Sequence, residues 1–254
     1  MSFAGRVYLV TGSTQGVGEA IARRLLDGQA AGVVLTGRDV ERGQALERAL
    51  GAKAYFVPGF LEREGDCRAL VAKGHARFGR IDGLVNAAGL TDRGTLDDTR
   101  VELWDRLFAV NVRAPFILSQ EVVRRLKAEK RPGAIVNIIT MSSHGGQPFL
   151  VAYSSSKGAL ATLTKNLANG LRFDRIRVNG INLGWTDTPG EHAIQKKDGN
   201  PPDWLERAEP KQPFGRLIKA KDAAALAAFL LSDEAEMMTG ALIDLDQNVI
   251  GAYS

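Results

Sequence analysis

The sequence predicts an α/β fold: one doubly wound parallel sheet of about seven strands with helices on both faces. Two observations point there. Short β-branched and apolar runs alternate with longer helical patterns along the whole 254-residue chain. Strands separated by helix-length segments pair in parallel, because a parallel crossover needs a dozen or more residues. A chain of this length can also bury one sizeable core without dividing, so residues 1–254 are expected to form a single domain.

The apolar run just before Thr11 predicts a first strand at 6–10, and "GVGEAIARRLL" behind it predicts a helix over 17–28. A second strand is expected at 33–36 with a helix over 40–50, and a third at 54–57 with a helix over 64–78. The fourth strand, 83–86, is followed by a single long helix over 101–129. A fifth at 134–139 leads to a helix over 152–172, a sixth at 177–181 to a helix over 221–231, and the last strand is expected at 241–245. One stretch breaks the rhythm. Residues 188–215 are polar, carry five prolines and begin just past a strand end; excursions of this kind inside compact domains commonly form lids over binding sites.

Composition narrows the function classes. Hydrophobic residues make up 44% and charged residues 24%, close to globular averages. The apolar run before Thr11 is too short for a signal-peptide core, and "AAALAAFLL" after Asp222 falls well below the roughly 20 residues that span a bilayer. Neither export nor membrane insertion is expected, and a cytoplasmic location follows. Lys and Arg total 33 against 29 Asp and Glu, scattered rather than gathered into a basic stripe with aromatics, which argues against nucleic-acid binding. Cys67, the only cysteine, lies in a helical pattern and reads as a structural thiol. His75, His144 and His192 are far apart and lack metal-ligand spacing, so no metal site is expected.

The first strand and helix are joined by "TGSTQGVG". Glycines at 12, 16 and 18 permit a tight turn and a close backbone approach to a pyrophosphate, whose charge the free N–H groups of the helix N-terminus would hold. Further on, "YSSSK" opens a strongly helical run with Tyr153 and Lys157 four residues apart, hence on one helical face. A free phenol has a pKa near 10. At about 4 Å and an effective dielectric near 20, an ammonium attracts a phenolate by about 4 kcal/mol, an upper bound of roughly three pKa units. The pair is therefore expected to form a proton carrier tuned toward neutral pH.

The order of these motifs resembles the short-chain dehydrogenase/reductase family, a Rossmann-like fold. "TGSTQGVG" matches its T-G-x-x-x-G-x-G signature and "YSSSK" its Y-x-x-x-K. "LVNAAG" resembles its N-N-A-G segment with Ala87 in the second asparagine position, "NVRAPF" matches its helix asparagine motif, and "INLGWTDT" resembles N-P-G-x-x-x-T with Leu183 in place of proline. The resemblance implies a catalytic set of Asn111, Thr140, Tyr153 and Lys157, with Asn111 holding a water in a proton relay and Lys157 also binding the nicotinamide ribose. Thr140 stands where the family has serine, thirteen residues before the tyrosine, and Ser142 is the alternative hydroxyl.

The same resemblance assigns cofactor contacts to Gly12, Ser13, Thr14, Gln15, Gly16, Val17, Gly18, Arg38, Asn86, Ala87, Gly89, Tyr153, Lys157, Gly184, Thr186 and Thr188. Gly37 takes the acidic position that holds the ribose 2′-hydroxyl of NAD, and Arg38 follows it. Lacking a carboxylate that would repel a 2′-phosphate, the chain is expected to prefer NADP(H), NAD(H) being the alternative if Asp39 bends back to the ribose. Phe60 replaces the aspartate the family places near the adenine.

A small-molecule carbonyl or alcohol is the expected substrate, with Ser142 and Trp185 as contacts and His144 and Gln147 as further candidates. The resemblance also implies a homo-oligomer, a tetramer or dimer, with the terminal "VIGAYS" at a subunit contact. The competing reading is a non-catalytic NAD(P)-sensing protein on the same fold, since fold does not fix function.

Overall fold

The computed structural model describes residues 1–251; the last part of "VIGAYS" lies outside the described residues. Strands β1 (Val7–Val10), β2 (Gly32–Gly37) and β3 (Ala54–Pro58) alternate with helices α1 (Gly16–Asp27), α2 (Val40–Leu50) and α3 (Glu64–Phe78). After β4 (Gly83–Asn86) come α4 (Val101–Phe108) and α5 (Ala114–Ala128), then β5 (Gly133–Ile138), α6 (Val151–Leu171) and β6 (Ile176–Leu183). Residues 186–219 contribute β7 (Thr186–Asp187), α7 (Pro189–Lys197), α8 (Trp204–Ala208) and β8 (Ile218–Lys219), and α9 (Ala220–Leu231) and β9 (Leu242–Leu245) complete the fold.

The main sheet has seven parallel strands in the order β3-β2-β1-β4-β5-β6-β9. This is the predicted doubly wound sheet. Its inner strands are buried on both faces, which is why they read as continuous apolar runs such as "VYLV" rather than as alternating ones. One core layer joins Ile21 and Leu25 of α1 and Ala224, Ala227 and Ala228 of α9 to Leu35 and Val136. The other joins Leu70 and Val71 of α3 and Ile117 and Leu118 of α5 to Leu9, Leu84 and Ile135. The strand order turns back at β1 and β4, and in such sheets the ligand crevice opens beyond the strand carboxyl ends at that point.

The single helix expected over 101–129 is instead broken. Residues Ala109–Arg113 form a π-helical turn between α4 and α5. Pro115, in the first turn of α5, has no N–H for the Asn111 carbonyl that an α-helix would pair with it, and the turn widens just before it, with the Ala114 N–H bonded to the Ala109 carbonyl five residues back. The proline-rich excursion is also not one loop. Thr188 caps α7 by accepting from the Glu191 N–H at 3.1 Å, and Pro189 fits the first helical position. No helix among the described residues is long and apolar enough to cross a membrane.

Candidate active site

A cleft of about 1440 Å³ lies above the carboxyl ends of β1, β4 and β5, walled by the glycine loop, the N-terminus of α6 and the α7 region. Gly12 has φ +60°, and a Cβ there would stand 2.7 Å from the Ala88 Cα. A Cβ on Gly18 would stand 2.4 Å from the Gly12 carbonyl oxygen. The loop thus closes only with hydrogen at these positions, and Gln15 makes no side-chain cap on α1. The first N–H groups of the helix are left facing the cleft, a cradle for an anion. Thr14, Gln15, Gly16 and Val17 line it. Ser13 does not, contrary to expectation: its hydroxyl donates to Val10 O at 2.8 Å and accepts from Thr36 N at 3.0 Å, so it ties β1 to β2 beneath the loop.

At the β2 end, Arg38 and Arg42 both line the cleft. Asp39 lines it too, but its carboxylate is engaged at the start of α2, accepting from the Arg42 N–H at 3.0 Å and pairing with the Arg42 guanidinium at 3.2 Å. Arg42 also donates to Gln15 Oε1. Gly37 leaves no room for a carboxylate, since a Cβ there would meet Thr14 Cγ2 at 2.6 Å. Phe60 lines the cleft under the Arg63 guanidinium, which stands 4.7 Å from its ring centroid.

Two asparagines expected to face ligands turn inward instead. Asn86 donates to Asn137 Oδ1 at 2.8 Å, and Asn137 in turn donates to Thr164 Oγ1 at 2.8 Å, a buried polar chain from β4 through β5 to α6. Asn111, fully buried on the π turn, accepts from Leu90 N at 2.9 Å and donates to Leu90 O at 3.0 Å and Ser156 Oγ at 3.0 Å. With both amide protons committed, its side chain has none left to donate to a relay water. What it does is clamp the loop after β4 onto α6, with Gly89 set against Lys157: a Cβ on Gly89 would stand 3.4 Å from the Lys157 Nζ.

Tyr153, Lys157, Thr140 and Ser142 all line the cleft. Lys157 is buried, and its Nζ donates to the Ile138 carbonyl oxygen at 2.8 Å. Burial pushes this ammonium down to about 8. The phenol of Tyr153 is pushed up to about 12 by burial, held back by hydrogen bonding with Thr140 and raised slightly further by the carboxylate of Glu191. Lys157 does not lower the phenol in this state, contrary to the expectation from helical spacing alone. Of the two candidate hydroxyls, Thr140 is thus the one that acts on the Tyr153 phenol; it also accepts from the Ser142 N–H at 3.3 Å.

The family model for enoyl-(acyl carrier protein) reductase matches residues 12–247. The chain belongs to the short-chain dehydrogenase/reductase family. It is 35% identical to an uncharacterized oxidoreductase of Thermotoga maritima over 97% of this chain and 98% of that one. Among solved structures, the 3-ketoacyl-(acyl-carrier-protein) reductase of Brucella melitensis complexed with NADH matches with a TM-score of 0.87 at 30% identity, covering 97% of this chain and 99% of that one. A single-residue variant of the actinorhodin polyketide ketoreductase with NADPH matches with a TM-score of 0.90 at 27% identity, covering 98% of each chain.

In this member of the short-chain dehydrogenase/reductase family the far wall of the cleft holds Ala87, Gly89, Gly184, Trp185, Thr186, Thr188 and Gln147, all anticipated. The Thr186 hydroxyl donates to Gly184 O at 2.8 Å, leaving its main chain to face a ligand. His144 is not in the wall; it pairs with Asp244 at 3.2 Å on the neighbouring strand ends. Residues that sequence reasoning missed are Arg42, Arg93, Glu191 and Gln195. Arg42 sits in the first turn of α2, four residues after Arg38, which lies just before its cap. Arg93 and Glu191 lie in segments without a motif and meet only through the fold, at 3.7 Å.

Proposed function

We propose that this protein is an NADP(H)-dependent oxidoreductase that interconverts a carbonyl and a secondary alcohol, with Tyr153 moving the proton. The observation that carries the reading is the convergence, in one cleft, of an uncapped glycine-loop helix N-terminus with Tyr153, Thr140 and Lys157. The cradle fits a pyrophosphate because Gly12 and Gly18 let the main chain turn tightly, at Gly12 with positive φ, so that the loop and the first N–H groups of α1 face the cleft. Arg38, Arg42 and the Thr14 hydroxyl suit a 2′-phosphate, and the carboxylate of Asp39, which also lines the cleft, is already paired with Arg42 and capping α2, which weakens its opposition to one.

When bound, a nicotinamide supplies or accepts the hydride and, in its oxidised form, brings a positive charge. Tyr153 gives its phenolic proton to the substrate oxygen in reduction and takes one from the alcohol in oxidation. Thr140 orients that oxygen and steadies the phenolate. Lys157 has two ammonium protons beyond the one on Ile138 O, free for a ribose hydroxyl. Asn111 positions rather than reacts: it holds Leu90, and with it the loop at Gly89, against α6. Residues 188–215, with α7 and α8, serve as the lid, and the working form is a homo-oligomer acting in the cytoplasm.

The test is a screen of ketones, aldehydes, sugars and alcohols followed by nicotinamide absorbance, with NADP(H) and NAD(H) in parallel. Turnover with NADP(H) that disappears in Tyr153→Phe supports the reading. Tight NADP(H) binding with no turnover across the carbonyl classes sinks it in favour of a sensor.

A further inference from the structure

The substrate end of the cleft is built around one carboxylate. Glu191, in the first turn of α7, has its side chain 16% exposed and lines the cleft with Tyr153. Its Oε1 accepts from Trp185 Nε1 at 2.8 Å and from Gln195 Nε2 at 2.6 Å, and Arg93 stands 3.7 Å away. Gln195 is fixed in turn by Asn200, which donates to its Oε1 at 2.6 Å. Glu191 Oε2 makes no hydrogen bond among the described residues. A carboxylate held through one oxygen and open at the other is a preorganised acceptor.

What surrounds it selects the donor. Arg93 is nearer to Asp198, at 2.7 Å, than to Glu191, so its charge is shared between two carboxylates and is not free for an anion. Lys211 and Asp246 add one charge of each sign to the lining. With Lys157 counted, three cations (Arg93, Lys157, Lys211) face three carboxylates (Glu191, Asp198, Asp246), a balance that favours an uncharged ligand. Trp185 stacks on Trp204, with ring centroids 5.8 Å apart and planes at 26°, which fixes its ring while the residue stays 42% exposed beside the carboxylate. A side hollow of about 320 Å³ shares Trp185 and Gln195 with the cleft and gives room for ring substituents. An indole that can cover C–H groups beside a fixed carboxylate and amides is the chemistry that binds a hydroxyl-bearing ring.

Resting on the carbonyl–alcohol reading above, we propose that the substrate is an uncharged polyhydroxylated ring of the sugar or cyclitol class, with Glu191 Oε2 accepting from a hydroxyl other than the one that reacts. Glu191 is then a specificity residue, and a ring lacking the second hydroxyl leaves a covered carboxylate oxygen unpaired, which costs affinity.

The experiment compares cyclohexanol with a panel of hexopyranoses and cyclitols, using NADP⁺ reduction and, separately, quenching of indole fluorescence in the NADP⁺-loaded protein. The expected result is a preference in kcat/KM for at least one polyol over cyclohexanol of about tenfold or more, and a collapse of that ratio in Glu191→Gln by a similar factor. If Glu191→Gln lowers polyol and cyclohexanol turnover equally, Glu191 only braces α7 and the proposal fails. Cyclohexanol turned over without any polyol preference would overturn it while leaving the oxidoreductase reading intact. Saturable polyol quenching that weakens in Glu191→Gln, without turnover, would uphold the binding site and sink the reaction. No turnover of cyclohexanol or any polyol, with no quenching by any polyol, would overturn both readings.

Discussion

The ammonium of Lys157 donates to the carbonyl oxygen of Ile138 at 2.8 Å, at the end of β5, and this bond holds the side chain beneath the cleft floor. The phenol of Tyr153, one helical turn earlier on α6, is raised by burial and held back by Thr140. The phenol therefore stays fully protonated at neutral pH in the free protein, and lowering it requires positive charge brought beside it. The oxidised cofactor and the spare protons of Lys157 are the two sources the cleft can offer.

Burial of Lys157 carries a stability cost. Its pKa falls from 10.5 to about 8 on folding, so between those values the unfolded chain holds a proton that the folded chain has released. Stability contributed by this group is full above about 10.5 and lost as pH falls through about 8. At pH 7 the penalty is about 3 kcal/mol, offset in part by a hydrogen bond worth about 1 kcal/mol. Lys157→Met is expected to raise Tm at pH 7 by a few degrees, with the gain shrinking toward pH 10.5. Differential scanning calorimetry of both proteins across this range checks it; a variant less stable at pH 7 would refute the assignment.

The Thr140 hydroxyl is expected to matter more than that of Ser142. Thr140→Val keeps the shape but removes the group that meets Tyr153, and kcat should fall by about 10- to 100-fold with KM little changed. Thr140→Ser should retain most activity, and Ser142→Ala should cost less than about threefold. The opposite ranking in steady-state kinetics would assign the role to Ser142.

Cofactor choice is expected to depend on Arg38 and Arg42 acting together. The double variant Arg38→Ala/Arg42→Ala should raise the Kd for NADP⁺ by about 10²-fold while changing that for NAD⁺ by less than about threefold, as read by calorimetry. Gly37→Asp alone is expected to destabilise, because its Cβ would sit 2.6 Å from Thr14 Cγ2. Combined with Thr14→Ala it should reverse the preference toward NAD⁺. Equal loss of both cofactors in the arginine variant would contradict the 2′-phosphate assignment.

Much of this architecture was legible before folding was considered. The parallel sheet followed from short apolar runs separated by helix-length segments, and the glycine loop from spacing whose steric need is now visible at Gly12 and Gly18. The break at Ala109–Arg113 was written in Pro115 but hidden by apolar periodicity on either side of it. Side-chain direction was harder. Ser13, Asn86 and Asn111 sit at the expected backbone positions, yet their polar ends satisfy buried partners on other elements, a choice set by tertiary packing. Glu191 and Arg93 were invisible for the same reason, since nearly a hundred residues separate groups that the fold places side by side.

The most direct test of the proton-carrier assignment is the ionisation of Tyr153 itself, followed by NMR of ring-labelled tyrosine, with Tyr153→Phe identifying the resonance. In the free protein it should remain neutral until pH approaches about 12. With NADP⁺ bound it should titrate at clearly lower pH, and in Lys157→Met with NADP⁺ bound much of that shift should be lost. An identical titration in the free and NADP⁺-bound protein, or full turnover by Tyr153→Phe, would contradict the account.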